Sequence, residues 1–313
     1  MSNIPYIGEI LSLSSAVLWA FSVILFKKTG DHLSPLAVNP FKNMVGLTLI
    51  FITCLVAAIP LVPTAGIGGF PGYTAREYWI LIISGVVGIG LADMVFLKSL
   101  NVLGAGISAI VDCMYSAFVI FFAFVMLDES LTLLQFLGGA LIVSAVLFAS
   151  FRLKNLPTSR RRFLYGIVLG VSAMAMMAIG IVMVKPILNK VADNLGQQIW
   201  IAGFRLLPGA VVSLAIFAVV QRRRDLLAPF REPKIWPALL TASVLGTYIA
   251  LIMWLSGMAL TKVSIAGILN QTSTIFIFLF AGFFLKEPIT GRRIVSLILA
   301  TAGVYLVFIG RGI

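Results

Sequence analysis

Polar residues in this chain are gathered into clusters, and between the clusters run long stretches that are apolar on every face. Ten such stretches stand out, at about 7–26, 36–59, 79–97, 104–126, 133–151, 163–184, 198–220, 236–258, 264–285 and 293–310. A helix needs about 20 apolar residues to cross a bilayer, and each stretch has roughly that length. Membrane-barrel strands are half as long and alternate apolar with polar positions, so ten helices are predicted. The breaks carry turn chemistry, as in Pro60 to Gly72 and Leu156-Pro157-Thr158. Thr132 followed by Gln135 predicts a capping box opening the fifth helix.

Composition agrees with this pattern. Of 313 residues, 60% belong to the set AVILMFWYC and 11% are charged; soluble proteins carry about 25% charged residues. Mean hydropathy is +1.09. Too few charges are present to coat a soluble fold, and disordered chains lack this apolar content. Only two cysteines occur, Cys54 and Cys113, both inside apolar stretches, so no disulfide framework is implied. Met1 to Gly8 contains no Lys or Arg, unlike the start of a signal peptide, and the first stretch is read as a retained helix. The class is an all-α polytopic membrane protein.

The chain repeats itself. A shift of 158 residues brings Leu127-Asp128-Glu129 onto Leu285-Lys286-Glu287 and Thr132 onto Thr290. Gly88 meets Gly246, Ala92 meets Ala250, Gly8 meets Gly166 and Lys27 meets Lys185. In the second helix of each half the shift is 163, which places Phe41-Lys42 on Phe204-Arg205 and Gly46 on Gly209. Two five-helix halves, 1–155 and 156–313, are therefore expected. Five is odd, so the halves enter the membrane from opposite sides, as in transporters whose binding site lies between inverted repeats.

Two five-helix halves with Trp19-Ala20-Phe21-Ser22 in helix one resemble the EamA-type members of the drug/metabolite transporter superfamily. So do the early basic residue of helix two (Lys42, Arg205) and the helix ends at Leu127 to Thr132 and Leu285 to Thr290. The resemblance covers nearly the whole chain. It implies a ten-helix carrier of small metabolites, often an exporter. The related small multidrug-resistance proteins place a proton-coupling Glu in the middle of helix one; here Trp19 stands at that depth, with Met177 in the second half.

The net charge of +12 is a question of sidedness. Sixteen of the 23 Lys and Arg follow odd-numbered stretches, among them Arg160 to Arg162 and Arg222 to Arg224. Five follow even-numbered stretches or lie at the termini: Arg76, Lys185, Lys190, Lys262 and Arg311. By the positive-inside rule the count places both termini outside, whereas the resemblance implies termini inside. The basic loops are read as topology and lipid contact, not as a nucleic-acid surface.

Charges inside a bilayer are costly and face a cavity or a partner. The candidates are Lys42, Asp93, Asp112 and Arg205. Asp112 lies deepest, in helix four, with Ser108, Tyr115 and Ser116 on its face; its repeat mate is Asn270, with Ser273 and Thr274 beside it. These two stripes are expected to line a central site, or else to join helices by hydrogen bonds. Lys42 and Arg205 either snorkel to the headgroups or capture an anionic group, Arg as a fork and Lys as a point charge. Pro40 and Pro208 beside them are expected to kink their helices. Asp93 pairs with Lys42 or takes up a proton; proton coupling through Asp112 or Asp93 is a separate expectation. Trp19 and Trp254 are cavity walls or interfacial anchors, their distance from the helix ends favouring the cavity, and Glu129 and Glu287 are read as turn and capping residues.

Enzyme chemistry finds no support. His32 is the sole histidine and stands in a predicted loop, which excludes His-Glu-x-x-His zinc sites, and no phosphate-binding loop occurs. No cofactor or metal is expected. The expected function is a secondary transporter, an exporter of small metabolites such as amino acids or related amphiphilic compounds, working by alternating access. Its expected partners are the solute and the bilayer, as monomer or homodimer in a bacterial inner membrane. The alternative is a lipid-handling protein, a flippase or accessory subunit, that binds an anionic head group.

Overall fold

The structure is a computed structural model that describes residues 5–30, 33–57, 59, 72–103, 111–112, 114–150, 160–221, 223–284 and 291–310. The predicted loop Pro60 to Gly72, save Gly72 itself, the loop 156–158, the helix end at 285–290, Ser108 and His32 lie outside the described residues.

All regular structure among the described residues is helical. The main helices are α1 (Ile7–Gly30), α2 (Pro35–Val56), α3 (75–103), α4 (Met114–Leu127), α5 (Leu133–Ser150), α6 (Arg160–Val182), α7 (Leu195–Val219), α8 (236–260), α9 (263–284) and α10 (Gly291–Ile309). A short helix, Lys185–Lys190, follows α6. Seven helical stretches are long and apolar enough to cross a membrane, and three shorter apolar helices, Met114–Leu127, Leu133–Phe148 and Ile294–Ile309, accompany them.

Local sequence sets the helix ends. Ser34 accepts the Leu36 amide ahead of Pro35, whose missing N–H costs nothing at a helix start. Thr74 and Glu77 form a reciprocal capping box at the start of α3. The box expected at Thr132 is present: the Thr132 amide donates to Gln135 Oε1 (3.0 Å), and the Gln135 amide donates to Thr132 Oγ1 (3.3 Å). At the end of α4, Asp128 takes φ 53°, and the next amide, Glu129, returns to the Ala123 carbonyl (3.2 Å). This is the left-handed helix stop that a short polar side chain tolerates.

The irregular turns are not at the prolines. Helix α2 runs through Pro40, and α7 through Pro208. Instead α3 widens into a π segment at Val86–Leu91, and α8 does so at Val244–Ala250. Their first residues are 158 positions apart, the same offset that aligns the two halves. Helix α9 is interrupted at Gln271, between Val263–Asn270 and Thr272–Phe284.

Most of the packing follows one rule. Helix α6 lies against α3 and α4, as α1 lies against α8 and α9. The π segment of α3 packs on α6 and α7, as that of α8 packs on α1 and α2. Helix α2 meets α7, α4 meets α9, and α5 meets α10. Each of these contacts has its counterpart when the first five helices are exchanged with the last five. Glycines permit the closest approaches. A Cβ on Gly85 would run into the Arg205 carbonyl oxygen, so only glycine lets α3 and α7 meet here.

One continuous apolar core joins α2, α3, α4, α6, α7 and α8, and it includes Tyr115, Met174, Ile181, Leu206 and Leu255. Large apolar side chains such as Phe121, Phe124, Leu133, Phe136, Val168 and Phe283 are exposed on the outside. That reverses the rule for soluble folds and suits a hydrocarbon surround.

Candidate functional site

The intramembrane charges are held in two different ways. Lys42, in the first third of α2, places Nζ 3.4 Å from Asp93 Oδ2 and 3.2 Å from Asn43 Oδ1. Asn43 in turn reaches Ser213 of α7 at 3.5 Å. Arg205, close to the middle of α7, is only 2% exposed. It therefore does not snorkel. Its Nε donates to Ser84 Oγ of α3 (2.9 Å), and its Nη2 touches the Gly180 carbonyl of α6 at 3.5 Å. Its Nη1 has no hydrogen-bond partner.

Ser84 and Asp93 stand just outside opposite ends of the π segment Val86–Leu91. One side chain holds Arg205 and the other holds Lys42, so a single irregular stretch of α3 ties down both cations. π-Turns inside α-helices occur frequently at functional positions.

Tyr115, on α4, is buried within electrostatic reach of both Arg205 and Asp112, and its hydroxyl has no partner. The Asp112 backbone carbonyl, just ahead of α4, accepts from Gln271 Nε2 (2.9 Å), so the approach to α4 is tied to α9 where α9 is interrupted. Asn270 closes the first segment of α9, and Thr274 is buried at the start of the second. Gln271, one residue past the expected Asn270, makes the cross-link. Trp254 packs on the same core as Tyr115, with Nε1 unpartnered. Trp19 is exposed at 37%, and its ring edge lies against the π segment of α8 at Gly246.

A second polar cluster lies at the end of the bundle where α1 begins and α10 ends. Lys185 is buried, and Nζ donates to the carbonyls of Met258 (2.5 Å), Thr261 (2.6 Å) and Ala259 (3.5 Å). A cation there complements the negative end of α8. Thr261 donates to Glu9 Oε1 (2.9 Å). Glu129 caps α9: its oxygens accept the Val263 amide (3.0 Å), the Ser264 amide (3.1 Å) and the Ser264 hydroxyl (2.7 Å). That capping role matches expectation, although the helix capped is α9, distant in sequence. A cleft of about 490 Å³ between Glu129, Gln135, Lys185, Asn189, Thr261 and Gly310 opens at this end.

Sequence reasoning missed Ser84, Gln271 and Lys185. Ser84 carried no signal, because its repeat position is Ala242. Lys185 was aligned with Lys27, but helix-end carbonyls as its partners leave no trace in sequence.

An all-helical bundle with an apolar exterior and buried ionisable side chains defines a multi-pass integral membrane protein. The profile of the EamA-like transporter family matches residues 6–151 and again 164–309. The chain belongs to that family, one of transporters and not of enzymes. A curated relative, described as "Uncharacterized transporter YoaV" from Bacillus subtilis (strain 168), is 22% identical over 144 residues. That match covers 46% of this chain and 47% of the relative, so the chain spans about half the length of the curated relative it matches. A solved crystal structure superposes with a TM-score of 0.78 at 13% identity, covering 97% of this chain and 96% of the other. At that identity the likeness is one of fold.

Proposed function

We propose that this protein is a secondary transporter that exports small metabolites, such as amino acids or related amphiphilic compounds, by alternating access. Ten crossings form two inverted repeats, 1–155 and 156–313. They rock around a central site near Asp112, Tyr115, Arg205, Asn270 and Thr274, with Trp19 and Trp254 as walls. Lys42 and Asp93 lie toward one side of the pathway. The location is a bacterial inner (plasma) membrane, in keeping with the bacterial origin of the Bacillus subtilis relative.

The observation that carries this reading is the exchange symmetry of the helix contacts, with a π segment at the same place in each half. A fold made of two equivalent packings has two equivalent states available, one open to each side. The meeting of Glu9, Glu129, Lys185, Thr261 and Gly310 at one end supports ten alternating crossings. Export is the direction that the motif resemblance implies.

Reconstituted protein is expected to move labelled amino acids across liposome membranes, and Asp112→Ala and Arg205→Ala are expected to lose that flux. Wild-type flux in both variants removes these residues from the site. Proton coupling through Asp93 or Asp112 predicts that an imposed pH gradient drives uptake, and flux indifferent to the gradient eliminates it.

A further inference from the structure

We infer that Arg205 and Tyr115 together form the docking point for a carboxylate on the transported solute. The inference rests on the transporter reading and adds the chemical class of what is carried.

A guanidinium this deeply buried needs a compensating anion or a full set of acceptors. Arg205 has neither. Its two contacts are with neutral groups, the Ser84 hydroxyl and the Gly180 carbonyl, and Nη1 makes none. Its repeat mate Lys42 has a carboxylate, Asp93, at 3.4 Å. Asp112, the other deep acid, makes no ion pair with Arg205 among the described residues. The two halves thus differ here: among the described residues, the first carries a neutralised cation and the second a cation without an anion.

Tyr115 supplies the second donor. Its hydroxyl is buried without a partner and lies within electrostatic reach of the guanidinium. Buried donors in native proteins are almost always satisfied, so the orphaned Nη1 of Arg205 and hydroxyl of Tyr115 mark the place of a missing acceptor. One guanidinium N–H and one hydroxyl match the two oxygens of a carboxylate. A single positive charge also matches a carboxylate better than a phosphate, which carries about −1.5 to −2 at neutral pH. The Arg205 backbone is pinned against Gly85, and Nε is spent on Ser84. The fork is therefore held in place before the solute arrives, which favours binding.

The test uses the full chain in lipid nanodiscs with three probes: phenylacetate, its neutral isostere phenylacetamide, and inorganic phosphate. Phenylacetate is expected to raise the unfolding temperature and to bind by calorimetry, while phenylacetamide and phosphate do neither. Tyr115→Phe, which keeps the ring, is expected to weaken phenylacetate binding roughly tenfold. Arg205→Lys is expected to retain part of the binding, and Arg205→Gln none. Phenylacetamide binding as well as phenylacetate, phosphate binding more tightly, no binding of phenylacetate by the wild type, or wild-type affinity in Tyr115→Phe and Arg205→Lys each overturns the proposal. Lost carboxylate preference with solute flux intact removes the dock alone. Carboxylate binding that follows Arg205, with no flux of any solute in liposomes, supports the dock and removes the transporter reading alone.

Discussion

Lys42 and Asp93 meet at 3.4 Å across α2 and α3, each side chain about four-fifths buried. Breaking such a pair from one side leaves a charge in apolar surroundings without its partner. Asp93→Asn and Lys42→Gln are each expected to lower stability by about 1.5–3 kcal/mol. The double variant is expected to cost less than the sum of the two. A double-mutant cycle by thermal unfolding in detergent checks this, and strictly additive losses would mean that the pair is not coupled.

Gly85 is where α3 and α7 come closest, with the Arg205 carbonyl in the space a Cβ would fill. Gly85→Ala is expected to destabilise the protein by roughly 1–3 kcal/mol through overpacking. At Gly88, three residues on, an added Cβ meets Gly180 Cα at an ordinary 3.5 Å. Gly88→Ala is therefore the tolerated control. Unfolding temperatures of the two variants give the comparison, and equal temperatures would contradict the packing described.

Glu129 holds the first turn of α9 from outside that helix. Glu129→Ala removes three acceptor contacts and is expected to cost about 0.5–2 kcal/mol, as other cap removals do. Glu129→Gln keeps an acceptor but not the charge, and is expected to fall between. Hydrogen exchange at Val263 and Ser264 should accelerate in the same order. Protection unchanged in Glu129→Ala would show that the cap is dispensable.

The π segment Val86–Leu91 carries one residue more than an α-turn needs. Deleting Ile89 is expected to let the stretch close into a regular α-helix and turn Asp93 away from Lys42. The protein is expected to insert and fold, with its labelled-solute flux in liposomes lost. Full flux after the deletion would show that the segment does not position the two cations.

The sequence by itself determined the class, the helices and the family. Apolar runs of bilayer length leave helices as the only elements that satisfy every backbone group in lipid, and most predicted limits fall within a few residues of those observed; the third helix, expected to end at 97, instead runs on to Leu103, and the fourth, expected from 104, is Met114–Leu127. The capping box at Thr132 and the offset of 158 were equally legible, because both are local or periodic patterns. Lys42, Asp93, Asp112 and Arg205 stood out because charge is rare in apolar runs. Only the tertiary structure decided what each charge touches. Pro40 and Pro208 suggested the irregular turns, yet these lie at Val86–Leu91, Val244–Ala250 and Gln271. The Lys42–Asp93 pair, the Ser84 bond to Arg205 and the Gln271 link to Asp112 join residues 51, 121 and 159 positions apart. The physical reason is that apolar runs fix which segments enter the bilayer. Among segments that all suit lipid equally, helix neighbours are chosen by close packing and by a few polar bonds, and these depend on shape in three dimensions.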